Sequence, residues 1–152
     1  MGLFTSTPLP DPVGDFAPPV DEHPSKIAAT LASLRHSADS RITHPRRFRV
    51  QQLRALEKML DEHLDDFLSA LNEDLGKGAT EAKFSEVDVV RAEIDFALRH
   101  LAEWMDHTNV KVPLALQPAM AKVEPRPLGV VLIIGPWNYP LQLMLAPLVA
   151  AI

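Results

Sequence analysis

Residues 127–140 read PLGVVLIIGPWNYP, and no other stretch limits the possible folds so tightly. An apolar, β-branched run at 130–134 stops abruptly at Gly135-Pro136. A run without polar alternation reads as a strand covered on both faces, as in a parallel sheet. Gly-Pro ends it, because proline cannot donate to a ladder and glycine accepts unusual backbone angles. Residues 139–152 then read as a helix. Asn138, between Trp137 and Tyr139, is thereby assigned to a strand-to-helix turn at the carboxyl end of a strand, where open α/β sheets bind ligands. A carboxamide there is a neutral donor, suited to a developing oxyanion. It is also a common turn residue, which bonds nearby backbone and tolerates left-handed angles. On local sequence alone the turn carries more weight. The two flanking aromatics, which offer a dry setting for one oriented donor, favour a site.

Upstream, three helical stripes precede this turn. Ile27, Leu31, Leu34 and Ala38 follow Ser25, which can cap. Pro45 suits the first turn of a second helix, whose stripe runs through Leu53, Leu56, Leu60, Leu64, Phe67, Leu71 and Leu75 to a C-cap at Gly76. A third carries Phe84, Val87, Val90, Ile94, Leu98, Leu101 and Met105 and ends near 106–109. Residues 111–124 change character: Pro113 and Pro118 forbid a long helix, and 119–124 can form a short edge strand. Residues 1–24 hold six prolines and few apolar positions spaced to pack, so an extended leader is expected.

Composition narrows the chemistry. The 152 residues carry a net charge of −5, which gives no reason to expect a nucleic-acid partner. The local basic cluster at 46–49 reads as the solvated start of a helix. With no cysteine in the sequence, this segment supplies no thiolate. The six histidines lack metal-ligand spacing, so no metal is expected. Gly76-Lys77-Gly78 lacks the earlier glycine and the following Ser or Thr of a phosphate loop, and no G-x-G-x-x-G is present. Asp61, Glu62, Asp65 and Asp66 read as a solvated helix face. Residues 129–152 are uncharged and long enough to span a bilayer, but Pro136, Pro140 and Pro147 interrupt them. A buried strand and helix explain them better, with a membrane-anchored helical protein, or a helical interaction module, as the rivals.

The residues PLGVVLIIGPWNYP resemble the segment of NAD(P)-dependent aldehyde dehydrogenases that bears the oxyanion-hole asparagine. Asp74-Leu75-Gly76-Lys77, Glu81-Ala82, Glu93-Ile94-Asp95, His100-Leu101 and Trp104-Met105 are similar to the class 3 branch. The likeness runs from about Lys26 to Ile152, and members of the family are several times longer. The resemblance implies an α/β fold of which this is the amino-terminal part. It comprises a helical segment (25–109), a projecting strand pair of oligomerisation type (110–127), and the first strand and helix of the nucleotide-binding domain (128–152). It further implies oxidation of an aldehyde substrate with NAD or NADP through a cysteine thioester, in a cytoplasmic enzyme that is a homodimer without membrane attachment. Asn138 would be catalytic, the main chain at Ile134, Gly135, Pro136 and Trp137 would meet the cofactor, and Tyr139 and Leu143 would line the substrate tunnel. The cysteine and the water-activating glutamate would lie beyond residue 152, leaving this chain inactive alone. Unpaired strand edges would make it prone to associate, and removing 129–152 would improve its solubility.

Overall fold

The computed structural model describes residues 24–152, with side chains from residue 26 onward. The expected leader, apart from Pro24, lies outside the described residues. Helix α1 spans Pro24–Asp39. It already includes Pro24, so Ser25 stands inside the first turn and not before it. Its stripe is only partly used: Ile27 and Leu34 are exposed and line an open cleft of ≈ 930 Å³ against residues 128–132.

The second stripe forms two helices, α2 (Arg46–Glu62) and α3 (Leu64–Leu75), with Pro45 as the residue before α2. The periodicity is continuous, but the backbone is not. His63 leaves the helical region at φ −114°, ψ 23°, while its N–H still donates to the Met59 carbonyl and its carbonyl still accepts from Phe67 N–H. The bonding thus passes through a bend that a stripe of leucines does not reveal. Gly76 ends α3 with φ 65°, the left-handed cap that glycine adopts without a Cβ penalty.

The third stripe is also divided. Helix α4 (Ala79–Ala82) leads through a π-helical turn at Lys83–Val87 into α5 (Asp88–Trp104). The wider turn shifts the phase, so Phe84 is 75% exposed although it was expected on the buried stripe, while Glu86 and Val87 both face inward. Lys83 Nζ clamps this turn by donating to both carboxylate oxygens of Asp88, at 2.9 and 2.7 Å.

Strands β1 (Thr108–Val110) and β2 (Ala121–Val123) form an antiparallel ribbon with Thr108 opposite Val123 and Val110 opposite Ala121. All its residues are exposed, and β1 begins inside the stretch expected to close the helical segment at 109. The strand expected at 128–134 has no ladder partner among the described residues, and Ile134 is 83% exposed. A buried parallel strand exists only through its neighbours, and no other described segment supplies them.

Helix α6 spans Pro140–Ala151, with proline at its first position. It completes the core. Leu53, Leu56 and Leu60 of α2 pack with Val90, Ile94, Ala97 and Leu101 of α5 and with Val149 of α6, while Leu141, Leu145 and Ile152 cover the edge. Removing 129–152 would therefore uncover α2 and α5, contrary to the gain in solubility expected from the sequence. No described helix is long and apolar enough to cross a membrane, so α6 does not support the membrane-anchor reading.

Gly135 approaches α6 closely. A Cβ there would stand 2.4 Å from Met144 Sδ and 2.7 Å from Met144 Cγ. Its φ is not left-handed, so the constraint is steric. Because the close atoms belong to the flexible, 39% exposed side chain of Met144, Gly135→Ala should cost at most about 1 kcal/mol, the low end for overpacking. Met144→Ala in the same chain should recover most of it, as measured by denaturant midpoints. Failure of Met144→Ala to rescue would mean that the clash is not with this side chain.

Candidate active site

The turn at 137–139 joins the exposed run to α6 and is held from below by two charged side chains far away in sequence. Gly76 turns the chain at the end of α3, and Asn72 Nδ2 donates to the Lys77 carbonyl at 3.0 Å. These bonds fix the Lys77 backbone, and its side chain enters the interior, leaving the residue 9% exposed. There Nζ donates to the main-chain carbonyl of Asn138 at 2.8 Å and sits 3.8 Å from the centroid of the Tyr139 ring. It also pairs with Glu86 Oε1. Glu86, from the π-helical turn, is 0% exposed. Its other oxygen accepts from Leu141 N–H at 2.8 Å and, more weakly, from Gln142 N–H at 3.4 Å.

The amino terminus of α6 is thereby fully used. Pro140 has no N–H, Leu141 and Gln142 donate to Glu86, and Leu143 N–H donates to the Tyr139 carbonyl at 2.9 Å. A carboxylate at this end also complements the positive pole of the helix. Backbone donors that could otherwise have met an anion here are consumed. The Asn138 carboxamide is exposed and makes no hydrogen bond among the described residues. It is a free neutral donor of the turn, as is the exposed Trp137 indole N–H.

The other expected site residues cluster around it. Trp137 is 88% exposed, Pro136 is exposed, and Gly135 is half-buried against Met144. The backbone N–H and C=O groups of Ile134, Gly135 and Trp137, and the Pro136 carbonyl, have no hydrogen-bond partner among the described residues. Tyr139 and Leu143, one turn apart, are half-buried. The apolar flanks expected to make the site dry are thus open on the described surface. Four open clefts of ≈ 350, 540, 930 and 380 Å³ among the described residues have linings that do not include Asn138. No group of three or more His, Asp or Glu among the described residues could hold a metal. Away from the turn, the hydrogen bond and charge of Lys122 hold the Glu124 carboxyl below its usual range.

Lys77 and Glu86 are the residues that sequence reasoning passed over. In the sequence Lys77 stands out only within a phosphate-loop fragment and the Asp74-Leu75-Gly76-Lys77 motif, neither of which gives it a role at the turn. A signal for Glu86 did exist: it lies four residues before Val90 and eight before Ile94, on the apolar face of its helix. A charge on a buried stripe calls for a partner.

Residues 22–152 match the sequence profile of the aldehyde dehydrogenase family. The chain belongs to that family. It is 42% identical over 124 residues to aldehyde dehydrogenase family 3 member B2 of Mus musculus, covering 82% of this chain and 26% of that protein. It is 47% identical over 110 residues to family 3 member A2 of Macaca fascicularis, covering 72% and 23%. A dimeric NADP-preferring aldehyde dehydrogenase of Canis lupus familiaris is 40% identical over 128 residues, covering 84% and 28%. Among solved structures, a substrate-bound state of Staphylococcus aureus AldH superimposes with a TM-score of 0.80 at 35% identity, over 82% of this chain and 27% of that one. The class 3 resemblance and the α/β aldehyde dehydrogenase fold expected from the sequence are borne out. This chain spans about a quarter of the length of the curated relatives it matches.

Proposed function

We propose that these residues serve as the amino-terminal quarter of an NAD(P)-dependent aldehyde dehydrogenase, with Asn138 as the side-chain donor of its oxyanion hole. The observation that carries this reading is the division of labour at the turn. The main chain of Asn138 and the first N–H groups of α6 are engaged by Lys77 and Glu86, while the carboxamide is left free. A neutral donor held on a rigid support is what a transient oxyanion needs, because nothing has to reorganise as the charge appears.

The chemistry follows from the family. A thiolate from outside these residues attacks the aldehyde carbon, and the carbonyl oxygen takes up the negative charge. Asn138 Nδ2–H donates to that oxygen. NAD(P), when bound, supplies the hydride acceptor. The unbonded main chain of Ile134, Gly135, Pro136 and Trp137 fits a ligand held by backbone contacts, and exposed Trp137 offers an apolar face beside it. Tyr139 and Leu143, on the first turn of α6, are assigned to the substrate channel. A glutamate from the remainder of the protein activates the water that releases the acid.

Residues 110–127 are assigned to subunit contact, because the exposed edges of the ribbon leave Val110 and Val123 open to a second copy in a homodimer. Residues 128–152 are assigned to the start of the nucleotide-binding domain and 25–109 to the helical segment that supports it. The cytoplasm is the expected location. The test is aldehyde-dependent NAD(P)H formation by the purified full-length polypeptide that carries this segment. Formation with a range of aldehydes is expected, and its absence with both cofactors would overturn the reading.

A further inference from the structure

We propose that Lys77 and Glu86 are positioning residues that hold the main chain from which the Asn138 carboxamide projects; this rests on the oxyanion reading of Asn138. Three attachments converge on five consecutive residues. Lys77 Nζ holds the Asn138 carbonyl, the same ammonium lies over the Tyr139 ring, and Glu86 holds the N–H groups of Leu141 and Gln142. The two charges bond each other. They come from opposite ends of a short stretch, Lys77 from the glycine-capped end of α3 and Glu86 from the π-helical turn. They reach α6 across 61 and 55 residues of sequence.

Stability alone is a weak reason for such a pair. Removing two charges from water costs several kcal/mol each, and well-packed apolar residues often replace a buried pair at no loss. What the pair supplies is a fixed main chain at the turn. An ammonium has three donors, and here they face a carboxylate, a main-chain carbonyl and an aromatic ring at once. Fixing the Asn138 carbonyl fixes the peptide plane that contains its Cα, and with the start of α6 pinned, the point from which the side chain departs is held in place. Oxyanion donors act within a few tenths of an ångström, so a support of this kind governs rate more than binding. The π-helical turn supports the same conclusion, since such turns are frequent at functional sites and this one turns Glu86 inward.

The test is a double-mutant comparison in the full-length enzyme. Lys77→Met with Glu86→Gln removes the pair without leaving an unpaired charge. In the native background kcat should fall about tenfold to a hundredfold, with the Kd for NAD(P) changed by less than about twofold. In an Asn138→Ala background the same exchange should change kcat by less than about twofold, because the donor it positions is already gone. Equal losses in both backgrounds, or no loss in the native one, would overturn the proposal and leave the pair as a purely structural tie. If the exchange prevents folding, Lys77→Arg, which keeps the charge and alters the donor geometry, carries the same comparison with the same expected dependence on Asn138. Should Asn138→Ala itself leave kcat unchanged, the oxyanion reading fails first, and the proposal falls with it. If Asn138→Ala is slow and the pair exchange is not, the positioning role alone fails.

Discussion

Asn138→Ala in the full-length enzyme is expected to lower kcat by about a hundredfold to a thousandfold, the usual consequence of deleting one oxyanion donor. The loss should appear in kcat and kcat/KM together, because the interaction exists only once the carbonyl oxygen carries charge. Folding should be almost untouched. The carboxamide makes no hydrogen bond among the described residues, and the groups that anchor the turn are its main-chain carbonyl and the N–H groups of α6. An alanine keeps all of these. Asn138→Asp separates the donor from mere bulk: it preserves shape but puts an acceptor with a negative charge where a donor is needed. It should be at least as slow as alanine. Steady-state rates with matched thermal unfolding midpoints check the pair of variants. A normal kcat in the alanine variant would reduce Asn138 to a residue of the turn.

Much of this arrangement is legible in the sequence, and its failures have physical causes. Stripes at steps of three and four locate α2, α3 and α5. Gly76 falls where a left-handed cap is needed, and the short strand expected at 119–124 is β2, whereas its partner β1 at 108–110 lies where the end of the third helix was expected. Asn138 is legible because a lone polar residue between two aromatics follows a strand-like run. The bend at His63 is not legible, because the leucine spacing continues across it while one residue leaves helical angles. The π-helical turn is not legible either, since periodicity assumes a constant twist, and one wide turn sends Phe84 outward. The Lys77–Glu86–Asn138 linkage joins segments separated by more than fifty residues, where local pattern carries no information. The run at 128–134 has the composition of a buried strand, and composition records the environment for which it is suited, not whether neighbouring strands are at hand.

The 152-residue chain by itself is expected to form no NAD(P)H from any aldehyde above the uncatalysed background. Its sequence contains no cysteine, so the carbon–sulfur bond that precedes hydride transfer cannot form on it. An oxyanion donor without a nucleophile has no oxyanion to hold, so Asn138 cannot supply a residual rate as a donor left behind in an intact site does. The surface beside Asn138 points the same way. Trp137 and Ile134 are largely exposed, and Asn138 itself is exposed. Donors worth several kcal/mol in a dry site are worth far less when water competes for the same oxygen. The helical core of α2, α5 and α6 should still give the chain a helical circular dichroism spectrum, since Val149, Leu141 and Leu145 already pack against the two upstream helices. The exposed run at 128–134 should drive these helical molecules to associate, visible as a concentration-dependent rise in light scattering. Aldehyde-dependent NAD(P)H formation by this chain, scaling with its concentration and abolished by Asn138→Ala, would mean that a different nucleophile acts here and that the thiolate chemistry assigned to the family does not describe this protein.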